Sequence, residues 1–168
     1  MPSKYSKPLE ILYPPFLDME TNGYLAVNDG EISDPENANP IIEGEWLDLF
    51  SSAANTGKLQ RAVGTTPLPF LYVDQKGRTD VQSTKKGNIA LEAPLIIKTK
   101  IVNGTSLPAG SEVMVGTVTY NSKSKAGLLL ATGGNYIVGK VLSVGTNTSH
   151  PDGSFWEILL YRQPVLKP

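Results

Sequence analysis

The chain contains no cysteine and a single histidine, His150. The first absence excludes thiol nucleophiles, disulfides and cysteine-based zinc sites, and the second leaves too few imidazoles for a histidine-ligated metal. His150 itself stands in Ser149-His150-Pro151-Asp152-Gly153, where Pro-Asp-Gly reads as an exposed turn and no partner for a general base is evident. A calcium loop of the Asp-x-Asp-x-Asp-Gly kind is missing, and so is a GxxxxGK[ST] phosphate cradle. No catalytic, metal-ligating or cofactor-binding residue is therefore assigned. Long apolar runs are missing too: nothing approaches the roughly 18 residues of a membrane span. No basic segment followed by an apolar one stands at Met1, so the expectation is a soluble product of a cytoplasm with no membrane partner.

What is present is a chain of 168 residues, 40% of them hydrophobic, enough for one core and one compact domain. Its charge is strongly segregated. Residues 1–56 carry ten acidic side chains against Lys4 and Lys7, a net of −8, and the remainder of the chain carries +7. Such asymmetry means either that the two ends meet different partners, or each other, or simply that two solvated faces differ in charge.

Residues 1–40 hold Pro2, Pro8, Pro14, Pro15, Pro35 and Pro40 together with the turn signals Asn22-Gly23 and Asn28-Asp29-Gly30. Proline removes a backbone donor and restricts the residue before it, which rules out a long helix or a central strand. The segment also carries Leu9, Ile11, Leu12, Tyr13, Phe16, Leu17, Met19, Tyr24, Leu25 and Val27, more apolar surface than a solvated linker. It reads as an extended, mostly irregular N-terminal arm laid across its own domain or a neighbouring copy.

From residue 41 the pattern changes to short alternating runs separated by turns. Residues 41–49, IIEGEWLDL, read as the first strand of a β domain spanning residues 41–168, and with the run at residues 58–63 they suggest a hairpin. The apolar run at residues 67–74 follows. Residues 93–102 alternate as a strand, and Asn103-Gly104 is the strongest hairpin signal in the chain. Residues 112–120 (EVMVGTVTY) form another strand, with Gly116 placed where a bulge would sit. Residues 121–125 read as an exposed basic loop, residues 127–131 and 136–144 as a second hairpin, residues 155–161 (FWEILLY) as the closing strand, and residues 162–168 as a tail. The expected class is all-β, a small antiparallel barrel or sandwich behind an N-terminal arm.

Within that pattern Trp46 and Trp156 read as core. Glu43, Glu45, Glu92, Glu112 and Glu157 read as the solvent-facing partners of apolar strand neighbours. Lys76, Arg78, Lys85 and Lys86 lie close together in sequence, yet no exposed aromatics interleave with them as a single-strand binder requires. Nucleic acid is accordingly not an expected direct partner.

Four fragments in order, Gly44-Glu45-Trp46-Leu47, Gly57-Lys58-Leu59 with Arg61, Gly77-Arg78-Thr79-Asp80-Val81-Gln82 and Gly134-Asn135-Tyr136-Ile137-Val138-Gly139, resemble the head decoration, or cement, proteins of tailed bacteriophages. The similarity spans roughly residues 41–162. It implies a tulip-like β barrel or sandwich on the outer surface of the virion, assembled in the host cytoplasm. It also implies a non-enzymatic role: binding the major capsid protein, stabilising contacts between capsomers, and contacting neighbouring copies as a trimer, a dimer or an arm-linked array. Candidate interface residues are then Leu12, Tyr13, Phe16, Leu17 and Tyr24 in the arm, and Lys85, Lys86, Lys123 and Lys125 on rim loops. The alternative is a carbohydrate- or protein-binding β module of a phage tail, fibre or other surface structure.

Overall fold

A computed structural model describes residues 8–13, 26–31, 39, 41–49, 59–73, 86–90, 96–103, 107–146 and 154–168. Among them every regular element is a strand: β1 (Leu9–Tyr13), β2 (Ala26–Glu31), β3 (Trp46–Leu49), β4 (Leu59–Arg61), β5 (Phe70–Tyr72), β6 (Lys86–Ala90), β7 (Ile96–Thr99), β8 (Glu112–Tyr120), β9 (Lys123–Leu130), β10 (Tyr136–Thr146) and β11 (Ser154–Leu166). They form two antiparallel sheets, one of six strands in the order β1-β7-β11-β10-β8-β9 and one of five in the order β2-β6-β5-β3-β4. The fold is all-β and sandwich-like, not a closed barrel.

The core lies between the sheets. Trp46 and Leu71 of the five-stranded sheet pack in one cluster with Ile97, Val113, Val115, Leu128, Val141, Ile158 and Leu160 of the six-stranded sheet. Period-two alternation builds it: in β11, Trp156, Ile158 and Leu160 are buried while Phe155, Glu157, Leu159 and Tyr161 are not fully so. Trp156 is anchored further by an indole N–H donated to the Leu107 carbonyl at 3.1 Å, which satisfies its one polar atom.

The chain enters these sheets earlier than expected. Within the arm, β1 pairs with β7, Leu9 opposite Thr99 and Ile11 opposite Ile97, and Leu9 is buried in the core. The second arm strand, β2, pairs with β6. Both occupy sheet edges, the only place a sheet tolerates the prolines that flank β1, so the irregular reading is corrected at these two places. Conversely, residues 41–45 are not strand. Gly44 sits at φ +91°, and the turn it makes brings the Glu45 N–H to the Ile42 carbonyl at 3.1 Å, so β3 starts only at Trp46. The expected hairpin partner of β3 is confirmed as β4, with Leu47 opposite Arg61.

Further expectations are corrected. Residues 121–125 are not a loop: Asn121 and Ser122, at φ 48° and 60°, form a two-residue turn joining β8 to β9 in unbroken register from Val113–Leu130 to Tyr120–Lys123. Positive φ at both central residues is the hairpin geometry, achieved here without glycine. That register also shows no bulge at Gly116; irregularities fall instead in β10, between Ile137 and Gly139 and between Val141 and Ser143, in β1 between Ile11 and Tyr13, and in β2 between Val27 and Gly30. Second, β9 and β10 are not a hairpin, because β8 lies between them. Their connection crosses the end of β8, where the Ala131 N–H reaches the Glu112 carbonyl at 2.9 Å. Third, Asn103-Gly104 does not turn β7 onto β8, since β11 and β10 separate the two. The expected tail is also strand as far as Leu166, pairing with Tyr136.

Candidate functional site

Two features of the sandwich stand out chemically: the outer edge of β9 and the outer face of the six-stranded sheet. Along β9, Leu128 exchanges hydrogen bonds with the segment that follows β7, its N–H to the Ile101 carbonyl at 3.0 Å and its carbonyl from the Asn103 N–H at 2.9 Å. Lower on the same edge, side chains take over from backbone. The Ala126 N–H donates to Glu45 Oε2 at 2.9 Å, and the Ser124 carbonyl accepts from the Asn39 side-chain amide. Lys125 stands between them.

Glu45 is wholly buried, contrary to its reading as a solvent-facing residue. It leaves the turn made by Gly44 and points across to the other sheet, where its carboxylate collects the Ile42 N–H at 2.9 Å, Arg61 Nε at 2.6 Å and Nη2 at 3.3 Å, and the Ala126 N–H. Lys125 Nζ lies 3.5 Å from Oε1 with its side chain only 4% exposed. Burial pushes the Lys125 amine below the usual lysine range, with the Glu45 carboxylate acting in the opposite direction. Arg61 also donates through Nη2 to the Asn39 carbonyl at 2.9 Å. The cluster thus ties residue 39, β4 and the start of β3 to β9. A buried carboxylate held by several donors is the arrangement in which a charge survives away from water.

The outer face of the six-stranded sheet carries a different feature. Cross-strand register places Leu129 of β9 opposite Met114 of β8, Met114 opposite Ile137 of β10, and Ile137 opposite Val165 of β11. Directly paired residues share a face, so an apolar ladder spans four strands, on the order of 14 Å at the usual strand spacing. Most of it is covered: Met114 and Ile137 are buried, with Leu129 and Tyr161 packed against them, and only its far end is open, where Val165 and Leu166 are each 54% exposed.

The residues singled out from sequence are dispersed by this fold. Leu12 is half-buried in β1, and Tyr13 pairs through its backbone with Ile96. Lys86 opens β6 opposite Glu31. Lys123 is exposed beside the turn between β8 and β9, whereas Lys125, two residues on, is buried, which removes it from the exposed rim. Phe16, Leu17, Tyr24 and Lys85 lie outside the described residues. Trp46 and Trp156 are both core. Sequence reasoning missed the carboxylate cluster because its members are 16 and 80 residues apart in the chain; the one local sign was a glutamate wedged between a glycine and a core tryptophan.

Among the described residues no group of three or more His, Cys, Asp or Glu is placed to hold a metal ion, and no helix is long and apolar enough to cross a membrane. Compared with models of known families, with curated proteins and with solved structures, the chain matches none.

Proposed function

We propose that this protein is a capsid decoration protein of a tailed bacteriophage, which binds the outside of the head and bridges major capsid protein capsomers. The observation that carries the reading is the exposed apolar pair Val165 and Leu166, each 54% exposed, which continues the buried cluster of Met114 and Ile137 out to the surface of a sheet already packed on its inner face. Exposed apolar side chains on a paired strand offer contact area rather than a pocket, which is what attachment to a protein shell requires. The four fragments that resemble decoration proteins support it from the sequence side. Small contributions repeated over many copies then add up to a stable shell.

The sugar-binding alternative needed tryptophans free to stack, and both are buried with the Trp156 indole N–H engaged; no other feature favours it. The test is cosedimentation of the purified protein with expanded heads of the phage whose genome encodes it, before and after stripping of native decoration. Saturable binding to stripped heads is expected. Protein that stays in the supernatant at every head concentration overturns the assignment.

A further inference from the structure

Glu45, Lys125 and Asn39 form a constellation that the attachment reading does not use. The Lys125 amine lies 3.5 Å from Glu45 Oε1 and is almost wholly buried. Asn39 hangs its side-chain amide on the carbonyl of Ser124, the residue immediately before Lys125, while its main chain is pinned by the same Arg61 that grips Glu45. On one strand edge, within a single residue of Lys125 on either side, a carboxamide, through its nitrogen, and a carboxylate are thus both held by hydrogen bonds to β9. A buried amine, a buried proton carrier and a half-buried carboxamide gathered on one strand edge are the components of an amide-forming reaction.

We propose that Lys125 and Asn39 join in an intramolecular isopeptide bond, with Glu45 carrying the proton. In the step, Lys125 Nζ gives a proton to the Glu45 carboxylate and attacks Asn39 Cγ. The Nζ–Cγ bond forms, the Cγ–Nδ2 bond breaks, and Glu45 returns the proton to the departing nitrogen, which leaves as ammonia. No oxidant, reductant or activated co-reactant is needed, because one amide replaces another. Burial also favours the neutral amine of Lys125, the nucleophilic form. The product staples residue 39, and with it the end of the N-terminal segment, to β9 of the six-stranded sheet, in a chain that has no cysteine for a disulfide. The inference stands on the cluster alone and does not depend on the attachment reading.

Intact mass spectrometry of the purified full-length protein tests it. The expected mass is below that of the sequence by one ammonia, about 17 Da. Trypsin is expected to leave the bond after Lys125 uncut and to yield one branched peptide containing both Asn39 and Lys125. Because Asn22-Gly23 and Asn103-Gly104 could lose ammonia by cyclising, Lys125→Arg is the discriminating variant: it restores the full mass if the isopeptide forms and leaves the loss in place if cyclisation is the source. A wild-type mass equal to that of the sequence, or ordinary tryptic cleavage after Lys125, overturns the proposal without recourse to any variant.

Discussion

The two flanks of the six-stranded sheet are held in opposite ways. On the β9 flank the edge is covered by the segment after β7 and by the side chains of Glu45 and Asn39, and the charges there are buried. On the β1 flank the last strand comes from the N-terminal segment, gripped by Leu9 in the core and by an ion pair, Glu10 to Lys98 at 3.7 Å, whose side chains are 63% and 32% exposed. The difference teaches where this sandwich is locked. Ions taken out of water must keep every partner, so the β9 flank is intolerant of change, whereas a screened surface pair can be lost at little cost.

The sharpest way to break the contrast is Glu45→Gln. It leaves Arg61 without its countercharge and takes away the proton carrier of the Lys125–Asn39 bond, and a loss of about 3–5 kcal/mol in urea unfolding is expected from removing one member of a buried ionic cluster. A loss below about 1 kcal/mol would place the cluster with ordinary surface pairs. Next comes Gly127→Ala on the same flank, where a Cβ would collide with the Ile101 carbonyl and a Val118 methyl. Overpacking against backbone should cost about 1–3 kcal/mol, read by the same unfolding curve, with the amides of Asn103 and Leu128 losing hydrogen-exchange protection first.

Val165→Asp probes the outer face instead. Its site is 54% exposed, so stability should move by no more than about 0.5 kcal/mol. Head binding in the cosedimentation assay should weaken at least tenfold, about 1.4 kcal/mol; undiminished binding would show that the exposed apolar end of β11 is not the attachment face. The smallest effect belongs to Glu10→Ala on the β1 flank, about 0.2–1 kcal/mol and shrinking further in high salt. A larger, salt-insensitive loss would mean that the two flanks are equally locked.

Legibility from sequence followed the range of the interactions. Strand identity in residues 112–120 and 155–161 was plain because alternation is a local property, and Trp46 and Trp156 were recognisable as core for the same reason. The β3–β4 hairpin could be read from two adjacent runs. The hairpin through Asn121 and Ser122 could not, since its sequence lacks the glycine that usually marks positive φ. The Asn103-Gly104 signal misled because a turn dipeptide specifies a reversal of the chain, not which strand the chain then meets. Lys123 and Lys125 look alike in a basic run, yet one is exposed and the other buried. What separates them is Glu45, which is brought alongside from 80 residues away.

The sequence alone thus determined an all-β chain without disulfides, a proline-rich N-terminal segment with no long helix or central strand, and a core built on two tryptophans. Each of these follows from periodicity, backbone chemistry or composition, which act over a few residues. Only the tertiary structure decided the strand order, the burial of Glu45 and Lys125, the placing of Asn39 beside them, and the apolar ladder across the outer face. Those depend on cross-strand register and on what occupies each sheet edge, and both are settled by contacts between residues far apart in the chain.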